Sequence, residues 1–184
     1  MKSDLPNTLT NANQLCVECG LCCTGHLFTH LTLKPGEEAK ADFLGLEHSD
    51  PAAKIRLVFP CHLWNGNCSI YAHPSKPNIC DAYQCGLLKK VTAQQVDLPE
   101  ALKAVRQIKQ VISELEPMLE GKPDQAFLKR LIDQVSSLES SGHGNADELN
   151  FRLKAGVVLV LFKKYFDRRE FKAQRPVSNE ESIP

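Results

Sequence analysis

The stretch Cys16-Val17-Glu18-Cys19-Gly20-Leu21-Cys22-Cys23 sets four thiols within eight residues, and four more follow at Cys61, Cys68, Cys80 and Cys85. No cysteine occurs in the rest of the 184-residue chain. The block contains two overlapping C-x-x-C spacings, and the turn between such a pair lets both sulfurs reach one ion at about 2.3 Å. On a helix, a step of about 100° per residue would put these four cysteines within an arc of about 120°. Gly20 weighs against a continuous helix, and a glycine inside a metal loop admits left-handed backbone and lets N–H groups approach sulfur closely. Adjacent Cys22 and Cys23 diverge, so sharing between two sites or a cluster is easier than joint binding of a single tetrahedral ion.

Eight sulfurs suffice for two closed zinc sites, for a cubane iron–sulfur cluster with four left over, or for one site and a reactive pair. The C-x2-C-x2-C run also matches the start of a ferredoxin-type cluster motif. Three other readings weigh less. Free core cysteines would be scattered, and a thioredoxin-like pair needs a strand–helix context that is absent here. A disulfide scaffold needs an oxidising compartment. The expectation is therefore that Cys16, Cys19, Cys22, Cys23, Cys61, Cys68, Cys80 and Cys85 hold zinc or iron, the iron alone or in an iron–sulfur cluster.

Lys plus Arg and Asp plus Glu both number 22, giving zero formal net charge. No global field draws this chain to nucleic acid or to an anionic membrane. The basic run Lys163, Lys164, Arg168, Arg169, Lys172 and Arg175 reads as a solvated helix face. No apolar run approaches the roughly 18 residues of a membrane span, and residues 1–14 lack a secretory apolar stretch. A cytoplasmic location is expected, where paired thiols seldom persist as disulfides. The expected partner is a metal ion, with a protein partner left open.

With 42% hydrophobic residues, one compact domain, or a small domain with a helical appendage, is expected. The fold class expected is α+β: a small cysteine-rich metal-binding core with a β-hairpin and short helices, followed by about three C-terminal α-helices. Within the core, residues 36–46 read as a short helix and 55–59 as a strand. Asn65-Gly66-Asn67 reads as a hairpin turn that brings Cys61 and Cys68 together. Beyond it, Leu102, Val105, Ile108, Ile112 and Leu115 recur at helical spacing after Pro99. A second helix carries Phe127, Leu131 and Val135 and ends at the loop 140–145. A third, over 146–166, is apolar on more than one face and is expected to lie between other elements. The organisation expected is a flexible 1–14, a cysteine-cluster domain at 15–95, a helical region at 96–177 packed on it, and a disordered tail at 178–184.

The cysteine spacing resembles the YkgJ family of CxxCxxCC cysteine-cluster proteins, described as zinc- or iron-chelating. The resemblance covers about 70 residues: the first block, Cys61, Cys68-Ser69-Ile70-Tyr71, and Lys76-Pro77-Asn78-Ile79-Cys80 on to Cys85. It implies a metal-chelating domain and little about any reaction. Lys76 stands where the family has arginine, Asp81 replaces a second arginine, and two extra residues separate Tyr71 from Lys76. Larger proteins with a similar motif are flagellin lysine N-methylases, but no glycine-rich nucleotide loop is present here, so that activity is not carried over. Two rival readings stay open: an iron- or iron–sulfur-dependent enzyme of redox or methyl-transfer type, and a zinc-stabilised protein-interaction module. No catalytic residue is assigned.

Among other residues, His26 and His62 lie near cysteines but are expected outside the ligand set. Tyr71 and Tyr83 are expected to cover the core, and Trp64 to pack on the hairpin. Cys85 is the weakest ligand candidate, because on a helix continuing from Cys80 it would sit about 140° around the axis.

Overall fold

A computed structural model describes residues 10–49, 54–140 and 145–166, without the side chains of 139 and 140. The expected tail at 178–184, the first nine residues of the expected flexible N-terminus and all the basic run beyond Lys164 lie outside the described residues. The elements in order are α1 (Asn11–Cys19), β1 (His30–Thr32), α2 (Glu38–Phe43), β2 (His48–Ser49), β3 (Arg56–Val58), α3 (Ile79–Ala82) and α4 (Gly86–Thr92). They continue with α5 (Leu98–Leu115), a 3-10 turn (Glu116–Met118), α6 (Phe127–Ser140) and α7 (Ala146–Phe166). The class is α+β, with one antiparallel sheet, ordered β1-β3-β2, among the described residues.

The long helices follow from periodicity and caps. Asp97 accepts from Glu100 N at 2.8 Å and starts α5, with Pro99 in its first turn. The inward stripe of α5, including Val105, Ile108, Ile112 and Leu115, is buried. In α7, Phe151, Ala155, Val158, Phe162 and Phe166 face inward against α4, α5 and α6. The opposite face leaves Leu149 69% and Leu153 67% exposed. The expectation that this helix lies between other elements is thus corrected: its partners all approach from one side, and apolar residues around a helix do not say from which side neighbours come.

The expected hairpin is also reduced. Trp64 and Cys68 form a single antiparallel bridge around Gly66, which has φ 78°. Trp64 N donates to Cys61 O and Tyr71 N to Cys68 O, so each arm bends into a turn of its own and cannot extend into a ladder. The sheet forms elsewhere, where β3 pairs Leu57 with Leu31 on one side and with His48 on the other.

Among the described residues, three apolar clusters make the interior. The largest joins Leu21, Leu27, Phe28 and Phe59 to α5, α6 and α7. A second sets Leu15 of α1 against α4 and α5, and a third packs Leu33, Ala41, Leu46, Leu57 and Ile70 around the sheet. Cysteines border all of them: Cys19 and Cys85 touch the first and second, Cys61 the first and third. Thiols therefore fill the junctions between clusters that are each small on the N-terminal side.

Candidate metal-binding site

The first block is half helix, half turn. Thr10 caps α1, and Gly20 ends it with φ 65°. Cys16 and Cys19 ride the helix, and Cys22 and Cys23 lie on the following turn, where Thr24 N donates to Gly20 O and Leu27 N to Leu21 O. The helix stops at Cys19, so the four cysteines do not share one continuous helical face. Gly20 is required twice, because a Cβ there would also stand 1.9 Å from a Trp64 ring carbon. Trp64 thus packs on the first cysteine block rather than within its own turn.

The second block folds onto the first through the backbone, where Cys61 N donates to Cys23 O at 2.7 Å. Cys80 lies in α3. That helix ends at Ala82 and Tyr83 is extended, so the geometry that would turn Cys85 away never arises. Cys85 instead caps α4, its Sγ accepting from Leu88 N at 3.3 Å. Tyr83 donates to the Phe166 carbonyl and Tyr71 to Asn13 Oδ1, tying the cysteine segments to α7 and α1.

The eight cysteines are all free and surround two small cavities. One, of about 60 Å³, is lined by Cys16, Cys23, Cys61, Cys68 and Cys80. The other, of about 40 Å³, is lined by Cys16, Cys19, Cys22 and Cys85. Tyr71 and Lys76 stand at the first and Tyr83 at the second. Burial pushes the thiols of Cys19 and Cys80 up to about 12 and that of Cys22 well above its ordinary range. Cys16, Cys23, Cys61 and Cys85 are raised for the same leading reason. The Lys76 ammonium opposes this at Cys16 and Cys80, and neighbouring cysteines reinforce it. Among the described residues, no group of three or more His, Cys, Asp or Glu side chains is arranged to hold a metal ion as it stands.

Of the two histidines near cysteines, His62 lines the larger cavity and His26 lines neither. His26 contacts Thr24 and Phe127, its Nε2 buried without a hydrogen-bond partner among the described residues. Burial drops it to about 4. His62 lies at the wall of the larger cavity but is exposed.

Two further groups support the cysteine segments. Glu37 is 4% exposed, and its carboxylate accepts from Lys34 N, Asn78 N and Ile79 N, capping α3 from the residue that precedes α2 and so supporting Cys80. Lys76 lies 4.1 Å from the Tyr71 ring centroid and 2.5 Å from Asp81 Oδ1. The two departures from the arginine pattern thus satisfy each other, and this was open to detection as a paired replacement five residues apart.

No family model, curated protein or solved structure matches the chain. The resemblance to the YkgJ family therefore rests on the sequence motif alone.

Proposed function

We propose that this protein binds zinc or iron through its clustered cysteine thiolates, the iron alone or in an iron–sulfur cluster. The observation that carries the reading is the gathering of eight free cysteines, from blocks 38 residues apart at Cys23 and Cys61, around two adjoining cavities. A sulfur-only donor set suits zinc and iron–sulfur clusters and disfavours magnesium or calcium. Burial adds support. Thiols packed this closely in apolar surroundings keep their protons unless a cation replaces them, and a divalent metal supplies that charge. Binding would require the sulfurs to turn toward common centres and would release protons.

No helix among the described residues is long and apolar enough to cross a membrane. The near-neutral charge balance gives no support to nucleic-acid binding. A reducing, cytoplasmic setting agrees with free thiols and belongs to the same proposal.

The test is elemental analysis of protein purified without oxygen, with free thiols counted in parallel. Zinc or iron in at least stoichiometric amount is expected; iron with matching acid-labile sulfide selects a cluster, and zinc alone selects thiolate sites. Protein that carries neither metal while its thiols remain reduced overturns the reading.

A further inference from the structure

The two cavities divide the cysteines unequally with respect to sequence. Cys23, Cys61, Cys68 and Cys80 line only the larger one, and Cys19, Cys22 and Cys85 only the smaller. Cys16 lines both. The division runs between two adjacent residues, Cys22 and Cys23, whose side chains leave the turn toward opposite cavities. The backbone sets it: Cys23 O accepts from Cys61 N, which commits that side of the turn to the second block. On the other side, α1 and α4 pack together and bring Cys19 and the α4 cap Cys85 to the smaller cavity.

Cys16 lies three residues before Cys19 on α1 and so shares its helical face, which groups it with Cys19 at the smaller cavity, on the boundary with the larger.

We infer that the protein holds two separate four-thiolate metal sites joined through the Cys22–Cys23 peptide, one from Cys16, Cys19, Cys22 and Cys85 and the other from Cys23, Cys61, Cys68 and Cys80. This rests on the metal-binding reading above. Each site takes ligands from more than one segment, so the first fastens α1 to α4 and the second fastens the turn after α1 to the sheet side and α3. Four sulfurs close a tetrahedral ion, which makes zinc(II) and its spectroscopic substitute cobalt(II) the fitting probes. The chain's own charges also differ at the two sites. Lys76 stands at the larger cavity, while the smaller is walled by Leu15, Leu87, Val105 and Phe166.

The test uses the full chain, reduced and reconstituted with zinc or cobalt under nitrogen. Wild type is expected to bind about two ions, with the intense sulfur-to-cobalt absorption of tetrahedral thiolate sites. Cys85→Ser and Cys68→Ser should each retain about one ion, and the double variant about none. Cys19→Ser and Cys80→Ser provide independent members of each set, and far-UV circular dichroism checks that each variant is folded. Wild type that binds metal but loses all of it on any one of these substitutions overturns the two-site division and leaves metal binding intact. Saturation of wild type at about one ion has the same effect. Wild type that binds neither metal overturns both.

Discussion

The segment from α1 to α4 and the segment from α5 to α7 are similar in length and differ in what holds them together. In the second, helices of 18, 14 and 21 residues bury stripes against one another, and Ile108, Leu115, Leu131, Val158 and Phe162 are wholly buried. In the first, strands of 3, 2 and 3 residues join helices of 9, 6, 4 and 7. Elements this short cannot stand by local hydrogen bonding, since an isolated helix below roughly 12 residues is marginal in water. Their junctions are occupied by cysteines. The difference teaches that one half is ordered by apolar periodicity and the other by side-chain attachment points, and metal is the attachment we propose.

Removing the metal is the strongest way to break that comparison. Each structural zinc site is worth on the order of 10 kcal/mol of apparent binding energy, so complete chelation should expose residues 11–92 to protease while α5–α7 keep most of their helical signal. Uniform protease resistance after complete removal would erase the distinction. The opposite perturbation is Phe162→Ala in the helical half. Loss of a fully buried ring should lower unfolding stability by about 3–5 kcal/mol, with bound metal per folded chain unchanged. A parallel loss of metal would mean that the helices, too, position the ligands.

Gly20→Ala sharpens the comparison inside the cysteine half. It combines a φ of 65° with a clash against the Trp64 indole, and overpacking of this kind costs about 1–3 kcal/mol. Denaturant unfolding of the metal-loaded protein measures it, and wild-type stability would show that the turn after α1 yields freely. Glu37→Gln is the mildest change. It replaces a buried carboxylate acceptor of two N–H groups at the start of α3, those of Asn78 and Ile79, by a neutral one, at about 1–2 kcal/mol, and should loosen Cys80 before the other cysteines. Alkylation by iodoacetamide followed by peptide mapping reads this, and equal reactivity at Cys80 and Cys19 would contradict it.

The long helices were legible because their signals are local: Asp97 with Pro99 marks a start, and the spacing of Val105, Ile108, Ile112 and Leu115 marks a face. The short strand around Leu57 was legible for the same reason. The ladder expected around Asn65-Gly66-Asn67 failed because hydrogen bonds from Trp64 to Cys61 and from Tyr71 to Cys68 outcompete extension, and turn residues alone do not reveal that. All eight cysteines were singled out from spacing, yet their grouping was not. It depends on contacts distant in sequence, such as Cys23 O with Cys61 N and the end of α3 at Ala82. Glu37, 41 residues before Asn78, gave no sequence hint of the helix it caps.

The most direct test of thiolate metal binding is X-ray absorption at the zinc or iron edge of the protein purified without oxygen. The account predicts a first shell of sulfur alone, at about 2.3 Å from zinc or iron. A shell dominated by nitrogen or oxygen near 2.0–2.1 Å would place the metal on other side chains and contradict it.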